Sequence, residues 1–389
     1  MNLGDFSLEP VKELEKTIQS YKKAKEDLKK KRDIDIRVHK KFGKYISIDG
    51  VTIAIEHWNP EADLIYISHP HMDHIPKIPE KVKHKLFNGK MKIKFLCSQI
   101  TKEIAKERTN GNFDFPDPSW LLGKDLKKIN SIEFKGVKLK LLENGHTYGS
   151  TSLLLEGSER VFYTSDFTTE NKQFGAERTP LKGLKPIGCK HLITECTYGS
   201  PQFIFPSFHK LKHELNEYVE RNLEKGDPTI ILAYSFGKSQ NILNMLKKSF
   251  RIILDRRCAK NTAILQELGI EFNSWEPYGN YNKNILSKQN DYVLIIPPYS
   301  MFREPYKTII KSGAKIVFAS GKGLVQTGKE KFPADKYLLY SDHCDFGKLI
   351  NFIENCQAKK IYLEHGLMKA INYFLTNFQF FKLDKLIIL

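Results

Sequence analysis

The spacing of hydrophobic and polar residues predicts a sheet-rich first region. Strands are predicted at residues 45–48 and 51–55, on either side of Asp49-Gly50, which is a typical two-residue hairpin signal. Further short apolar runs predict strands at residues 64–67, 92–97, 132–143, 152–156, 160–164 and 191–194. With helical stretches between some of these strands, this part of the chain is therefore expected to be rich in β-sheet.

From about residue 207 the pattern becomes an alternation of helices and strands. Helices are predicted at residues 207–224, 239–247 and 260–268, and strands at residues 229–233, 251–254, 292–296 and 315–319. Such alternation predicts a parallel sheet covered by helices. Because the last fifty residues return to the chemistry of the first region, we expect this α/β block to be inserted into the first domain.

The segment at residues 8–33 has the spacing of a single charged amphipathic helix. Its apolar residues recur three or four positions apart before the basic run Lys29-Lys30-Lys31-Arg32. One interpretation is a helix that packs on the body of the protein or frays. The other is an arm that binds phosphate groups.

Composition and charge narrow the classes of protein. Among the 389 residues, Lys and Arg exceed Asp and Glu by 62 to 45, and the net charge is +17. This excess favours a polyanionic partner, nucleic acid before membrane, although the genomic bias or habitat of the source would also produce it. Neither a membrane span nor a signal peptide is predicted, so we expect a cytoplasmic protein. The six scattered cysteines are expected to be reduced core thiols.

The densest chemistry lies in the run His69-Pro70-His71-Met72-Asp73-His74, directly after an apolar strand. Imidazole nitrogen and carboxylate oxygen are ligands that Zn²⁺ prefers. His69 and His71 can point into one pocket while Asp73 and His74 reach a second. The run therefore predicts two metal ions rather than one.

Three later residues lie at the ends of predicted strands. They are His146 in a glycine-flanked turn, Asp166 and His365. Taken singly, each is more often an ordinary strand-end residue than a ligand. Taken together with the histidine run, their order resembles the metallo-β-lactamase superfamily, whose fold has two β-sheets between helices and metals at one sheet edge.

Three further segments narrow the resemblance to the β-CASP nucleases. They are Thr194-Glu195-Cys196-Thr197-Tyr198-Gly199, the strand-loop-helix at residues 230–243, and Tyr340-Ser341-Asp342-His343-Cys344-Asp345-Phe346. Over residues 44–368 the chain is most similar to bacterial and archaeal ligase-associated exonucleases and messenger-RNA 3′-end processing factors. The resemblance implies a four-layer αββα fold with an inserted α/β cap. The expected domains are an N-terminal helix at 1–35, a metallo-β-lactamase domain at 36–204 and 341–389, and a β-CASP domain at 205–340.

The resemblance also implies a role for each site residue. One zinc would be bound by His69, His71 and His146, the other by Asp73, His74 and His365, and Asp166 would bridge them. Glu195 and His343 match the acid and the histidine of the β-CASP motifs. The chain differs from the family pattern at one position. Where the family usually has an Asp at the end of a strand, this chain has Glu56, whose side chain is one methylene longer. Asp49 is the other acidic residue that could take that place, but it is expected to be a turn residue.

Two zinc ions about 3.5 to 4 Å apart suit phosphodiester hydrolysis. His343 is predicted to protonate the departing ribose oxygen, while Glu195 keeps the His343 imidazole charged. Asp73 is predicted to be a third catalytic residue. Lys238 and Ser239 open a predicted helix and are expected to bind the nucleic-acid backbone, unless Lys238 is merely a solvated charge. Tyr234, Phe236 and Tyr299 are candidates for base stacking or for core packing.

The expected function is a zinc-dependent nuclease acting on RNA, because a histidine at position 365 accompanies the RNA-processing members of the group. A DNA exonuclease of the ligase-associated type, acting in DNA repair, is the main alternative, since that branch shares the histidine. An inactive nucleic-acid scaffold would lack ligands, whereas here every ligand position is filled. A small-molecule hydrolase of the wider superfamily would need neither the cap nor the positive charge. The sequence leaves open whether the chain forms a homodimer.

Overall fold

Three β-sheets organise the computed structural model of the chain. The structure describes residues 34–39, 43–87, 93–111, 113, 120–123, 130–174, 181–280, 286, 288–377 and 385–389. The helix predicted at residues 8–33 lies outside these ranges. Within them, no helix is both long and apolar enough to cross a membrane.

The first sheet has six strands in the order of the chain. They are β1 (Asp35–His39), β2 (Gly43–Ile48), β3 (Val51–Ile55), β4 (Leu64–Tyr66), β5 (Lys94–Ser98) and β6 (Trp120–Gly123). The predicted hairpin between β2 and β3 is confirmed, with positive φ angles of 49° at Asp49 and 81° at Gly50. These angles place Asp49 in the turn, as expected. Its carboxylate also accepts the N–H of Ser158 at 2.6 Å.

The second sheet has seven strands in the order β19-β18-β11-β10-β9-β8-β7. They are β7 (Asn130–Phe134), β8 (Val137–Glu143), β9 (Thr151–Glu156), β10 (Arg160–Tyr163), β11 (His191–Cys196), β18 (Lys360–Gly366) and β19 (Lys385–Ile388). The single strand predicted at 132–143 is wrong, because Lys135 and Gly136 adopt positive φ and turn the chain back on itself. Strand β11 pairs in parallel with β18, which is far away in sequence.

The third sheet lies in the chain between β11 and β18. Its strands are β12 (Thr229–Leu232), β13 (Ile252–Leu254), β14 (Glu276–Pro277), β15 (Val293–Ile296), β16 (Lys315–Ala319) and β17 (Lys336–Leu338). Every pairing in it is parallel, which confirms the predicted parallel sheet. The chain thus leaves the second sheet, builds the third and returns. The exact domain limits at residues 205 and 340 stay a prediction.

Helices cover the sheets. They are α1 (Glu80–Phe87), α2 (Gln99–Arg108), α3 (Phe208–Glu224), α4 (Lys238–Met245), α5 (Arg256–Glu267), α6 (Tyr306–Lys311), α7 (Gln326–Lys331), α8 (Phe346–Asn355) and α9 (Met368–Asn377). Helix α5 begins four residues before its predicted start, because Asp255 caps it by accepting the N–H of Arg257 at 2.8 Å.

The buried side chains define the layers. Ile53 and Tyr66 of the first sheet pack with Leu153 and Tyr163 of the second, which forms the central sheet-to-sheet core. Separate clusters bury the outer face of each sheet under helices. Two more clusters fill both faces of the third sheet. The predicted αββα fold with an inserted α/β unit is confirmed, and all six cysteines are buried free thiols.

Candidate metal centre

The strand ends of the first two sheets meet at one edge, where a cavity of about 430 Å³ opens. The loops that follow β4, β8 and β10, together with the end of β18, reach this edge. Eight of the predicted site residues line the cavity, namely His71, Asp73, His74, His146, Asp166, Lys238, His343 and His365. Residues that are up to about three hundred positions apart in the chain are therefore neighbours here.

The tightest group contains His69, His71, His146 and Asp166. His71 Nδ1 lies 3.0 Å from His69 Nε2 and 3.3 Å from His146 Nε2. Asp166 Oδ2 lies 3.6 Å from His69 Nε2 and 3.7 Å from His146 Nε2. Since one donor atom from each of the four lies within 4.8 Å of the others, this group could hold a metal ion.

The second predicted group is more open. His74 Nε2 lies 3.4 Å from Asp166 Oδ2 and 3.7 Å from Asp73 Oδ2, and the ring of His365 is 5.4 Å from that of His74. The Asp73 side chain is 78% exposed. Among the described residues, the tightest donor groups contain neither Asp73 nor His365. Asp166 lies beside both sets, while the division of the ligands between two ions stays a prediction.

The charge states of His69, His71 and Asp166 suit metal binding. Burial lowers the pKa of His74, but the carboxylates of Glu56 and Asp166 outweigh burial and raise it well above its ordinary value. Burial and the neighbouring imidazoles lower the pKa of His69 well below its ordinary value, and burial likewise lowers the pKa of His71 to about 4. Burial favours the protonated form of Asp166, but His74 and His343 hold its pKa well below the usual range. A neutral imidazole has one unprotonated nitrogen whose lone pair can bind a metal, and together with a carboxylate such nitrogens fit a divalent cation.

Glu56 lies directly behind His74, at the end of β3. Its Oε2 is 2.8 Å from His74 Nδ1, and it accepts hydrogen bonds from Ser68 Oγ, Tyr163 OH at 3.0 Å and Ser165 Oγ at 3.3 Å. Burial raises the pKa of this carboxyl, but His74 prevails and lowers it to about 2. Glu56 thus holds the ring that carries a predicted ligand nitrogen, which is a known way of orienting metal-binding histidines.

A buried ion pair beneath Glu56 was missed by the sequence analysis. The Lys44 ammonium donates to the Glu364 carboxylate and, at 3.2 Å, to the hydroxyl of Tyr163. Tyr163 donates in turn to Glu56, so that one polar network joins β2, β10 and β18 to the histidine cluster. The signal was present in β2, where Lys44 occupies the same inward face as Ile46 and Ile48.

His343 and Glu195 form a second histidine–carboxylate pair on the wall of the cavity. His343 Nδ1 lies 2.9 Å from both carboxylate oxygens. The N–H of Phe167, at 2.8 Å, and the hydroxyl of Thr197 also donate to this carboxylate. Burial opposes the charged imidazole, yet Glu195 and then Asp166 raise the pKa of His343. The pair is therefore arranged to keep a proton on His343 beside the cavity.

Asp342 connects this wall to the metal cluster. Its backbone carbonyl lies 3.1 Å from His146 Nδ1, so that nitrogen carries the proton and Nε2 faces His71 without one. The Asp342 carboxylate accepts from Lys172 at 2.8 Å and from Asn241 at 3.0 Å. The sequence analysis missed this role, although Asp342 directly precedes His343.

The side chains predicted to bind nucleic acid have different surroundings. Lys238 lines the cavity but is buried, with its ammonium 3.9 Å from Asp342 Oδ2, so it is not a solvated charge. Ser239 is buried and is not part of the cavity lining, a position that does not favour its predicted role. Phe236 belongs to the core, whereas Tyr234 and Tyr299 are exposed.

Comparisons with known proteins agree with this architecture. A family model described as "Anti-Pycsar protein Apyc1" matches residues 53–223. The chain is 25% identical over 315 residues to a probable DNA ligase from Opitutus terrae, covering 77% of this chain and 26% of the ligase. It is 24% identical over 292 residues to an RNase J-like protein from Methanocaldococcus jannaschii, covering 71% of this chain and 63% of that protein. The chain thus spans less than two thirds of the length of either relative.

The fold is also similar to a crystal structure of a protein of unknown function from Enterococcus faecalis V583. The TM-score is 0.50 at 15% identity, and the match covers 78% of this chain and 75% of that one. Other relatives carry the names of ribonucleases and of cleavage and polyadenylation factors. At modest identity, these relatives confirm that the chain resembles the β-CASP nucleases of the metallo-β-lactamase superfamily.

Proposed function

We propose that the chain is a zinc-dependent nuclease that hydrolyses phosphodiester bonds in RNA. The observation that carries this proposal is the single cavity in which the cluster around Asp166 meets the His343–Glu195 pair. A metal cluster alone would fit many hydrolases. A protonated histidine opposite that cluster is what a phosphodiester needs, because the departing alkoxide must take up a proton.

The metal ligands we propose are His69, His71, Asp73, His74, His146, Asp166 and His365. Zn²⁺ fits the donors, since imidazoles and carboxylates are its common ligands and the nitrogens of His69, His71 and His146 converge on Asp166. When bound, two such ions supply Lewis acidity that lowers the pKa of water and offsets charge on the phosphate.

The chain's own side chains perform the remaining tasks. His343 donates its proton to the leaving oxygen, and Glu195 holds the imidazole in that orientation through Nδ1. Lys238, on the cavity wall, adds positive charge beside the phosphate while its ion pair with Asp342 restrains it. Glu56 keeps the His74 ring turned toward Asp166.

RNA is favoured over DNA by the names of the relatives, which include an RNase J-like protein and a probable RNase. A DNA exonuclease is the second candidate, because another relative is named a probable DNA ligase and aligns over 77% of this chain. Both candidates use the same residues. They differ in the sugar that the cavity accepts.

Digestion of end-labelled RNA and DNA strands of identical sequence tests the proposal. Purified protein with its metal content measured should contain about two zinc ions per chain and should shorten RNA faster than DNA. Chelation should stop both reactions, and added zinc should restore them. Faster digestion of DNA would support the second candidate, and failure of zinc-loaded protein to cut either strand would refute both.

A further inference from the structure

A second, strongly basic groove adjoins the metal cavity. It has a volume of about 510 Å³ and shares Met72, Arg108 and Ser235 with the cavity wall. Its lining comes mainly from the end of α2 and the beginning of α5, and it includes Glu107, Asn110, Arg256, Arg257, Lys260 and Asn261. The groove therefore leads from the metal cluster out between the first sheet and the third.

The cations of this groove are poorly compensated. Lys260 pairs with the carboxylate of Glu107. Within the described part of the chain, Arg108, Arg256 and Arg257 form no ion pair through their guanidinium groups. Three arginines around one concave surface thus leave most of their hydrogen-bond donors to solvent or to a ligand.

The position of these arginines is also electrostatically unfavourable. Arg256 and Arg257 are the first two residues of α5. Asp255 caps that helix, but its first turn contains no further acidic residue. A helix N-terminus carries partial positive charge, so cations there are disfavoured. Burial lowers the pKa of Arg108, and repulsion from Arg257 adds to this, while the nearby Asp73 carboxylate opposes the shift without reversing it. A bound polyanion would relieve both repulsions.

We propose that this groove binds the sugar-phosphate backbone of a single-stranded polynucleotide, next to the phosphate that lies at the metal cluster. Arginine suits the task because its planar guanidinium can donate two hydrogen bonds to one phosphate. Arg108 faces both spaces and would contact the phosphate between them. The inference rests on the proposed function for the identity of the strand, but the groove itself stands apart from the catalytic residues.

Binding of a 12-nucleotide RNA, measured by fluorescence anisotropy over a range of salt concentrations, tests the groove. The full chain carries His343→Ala to keep the RNA intact. R256Q/R257Q is compared with R221Q/K225Q, which removes two exposed charges, one in the last turn of α3 and one directly after that helix. Each lost phosphate contact lowers the slope of log K against log salt by about 0.7 for single strands. We expect R256Q/R257Q to weaken binding about tenfold and to lower that slope by about 1.4.

The control pair should change the affinity and the slope far less. Equal effects of the two pairs would overturn the groove as a binding site, because net charge alone would then explain them. Tighter binding of poly-glutamate than of RNA would also overturn it, in favour of an acidic protein segment. If zinc-loaded wild-type protein cuts no strand, the proposed function fails, yet a selective effect of R256Q/R257Q on RNA binding would still support the groove.

The length of the strand gives a second readout in the active protein. With His343 restored, R256Q/R257Q should raise KM about tenfold for the 12-nucleotide RNA and much less for a dinucleotide, which is too short to reach the groove. An equal rise for both lengths would contradict the proposal, because it would mean that the arginines act on the metal cavity itself.

Discussion

Two histidine–carboxylate pairs in this protein have nearly the same nitrogen-to-oxygen separation but different surroundings. His74 Nδ1 lies 2.8 Å from Glu56, and His343 Nδ1 lies 2.9 Å from Glu195. The His74 side chain is 2% exposed, whereas that of His343 is 21% exposed. The enclosed pair therefore suits the proposed role of holding a metal ligand, and the pair that is open on one side suits the proposed role of presenting a proton.

The enclosure of the first pair has a specific cause. Glu56 receives three hydroxyl donors, and the second nitrogen of His74 faces the carboxylate of Asp166 at 3.4 Å. Although the His74 ring lines the cavity, both of its nitrogens thus face carboxylates, and neither is directed at a substrate. His343, by contrast, uses Nδ1 for Glu195 and keeps its other edge toward the cavity.

The two pairs also differ in how the chain builds them. Glu56 and His74 flank one strand of the first sheet, so the pair forms with that sheet. Glu195 and His343 stand on either side of the segment that makes the third sheet. The acid–histidine pair therefore assembles only when the inserted unit is folded and the chain has returned.

Three of the seven non-glycine residues with positive φ in the described part of the chain lie on the metal side. Glu56, Ser165 and His365 have φ angles of 59°, 54° and 53°, in the left-handed region that residues other than glycine rarely occupy. Such residues cost roughly 1–3 kcal/mol each and persist where the surrounding contacts demand them. All three belong to, or contact, the network around His74.

The largest expected effect separates the roles of the two pairs. His343→Ala should lower turnover of RNA by roughly 10²–10⁴-fold, because the leaving oxygen loses its proton donor. The zinc content should stay at the wild-type value, as measured by metal analysis of the purified variant. His213→Ala, which removes an exposed histidine paired with Glu217, should leave both quantities unchanged. A loss of zinc from the His343 variant would mean that both pairs serve the metals.

The next effect concerns the buried Lys44–Glu364 ion pair, which lies beneath the His74–Glu56 pair. Lys44→Met should lower the free energy of unfolding by about 3–5 kcal/mol, because it leaves the buried Glu364 carboxylate without its cation. Urea denaturation measures this change. Lys190→Met breaks a partly exposed pair with Glu159 and should cost less than about 1 kcal/mol. Equal losses in the two variants would refute the view that the network under Glu56 supports the fold.

Much of this site could be predicted from short segments of sequence. The ligand candidates at residues 69–74, 146, 166 and 365 stand immediately after apolar strands, and strands that end at one sheet edge bring their following loops together. The alternation after residue 207 likewise predicts the parallel sheet. These features are local, so a single sequence carries them.

The remaining features depend on long-range contacts. Glu56 is one methylene longer than the Asp that the family usually has at this position. Its left-handed backbone and the hydroxyl donors of Ser68, Tyr163 and Ser165 accommodate the longer side chain. Lys44 pairs with Glu364 across 320 positions, which no local pattern reveals. The alternation of buried and partly exposed residues in β2 predicts that Lys44 points inward. It indicates that this lysine needs a partner for its charge, but it does not identify the partner.

The smallest expected effect tests Glu56 itself. Glu56→Gln keeps the size of the side chain but removes the negative charge beside His74, so the ring is held less firmly and is a weaker donor. We expect the affinity for zinc to fall by about 10–100-fold, as measured by competition with a chromogenic chelator. Turnover should return to near the wild-type value at saturating zinc, because His343 and Glu195 are untouched. Glu159→Gln is the matched control, since Glu159 contacts the buried His191 at 2.7 Å in the same manner but far from the cavity, and it should leave zinc affinity unchanged. If Glu56→Gln instead abolished turnover at saturating zinc, the enclosed pair would take part in the chemical step, and the contrast between the two pairs would be lost.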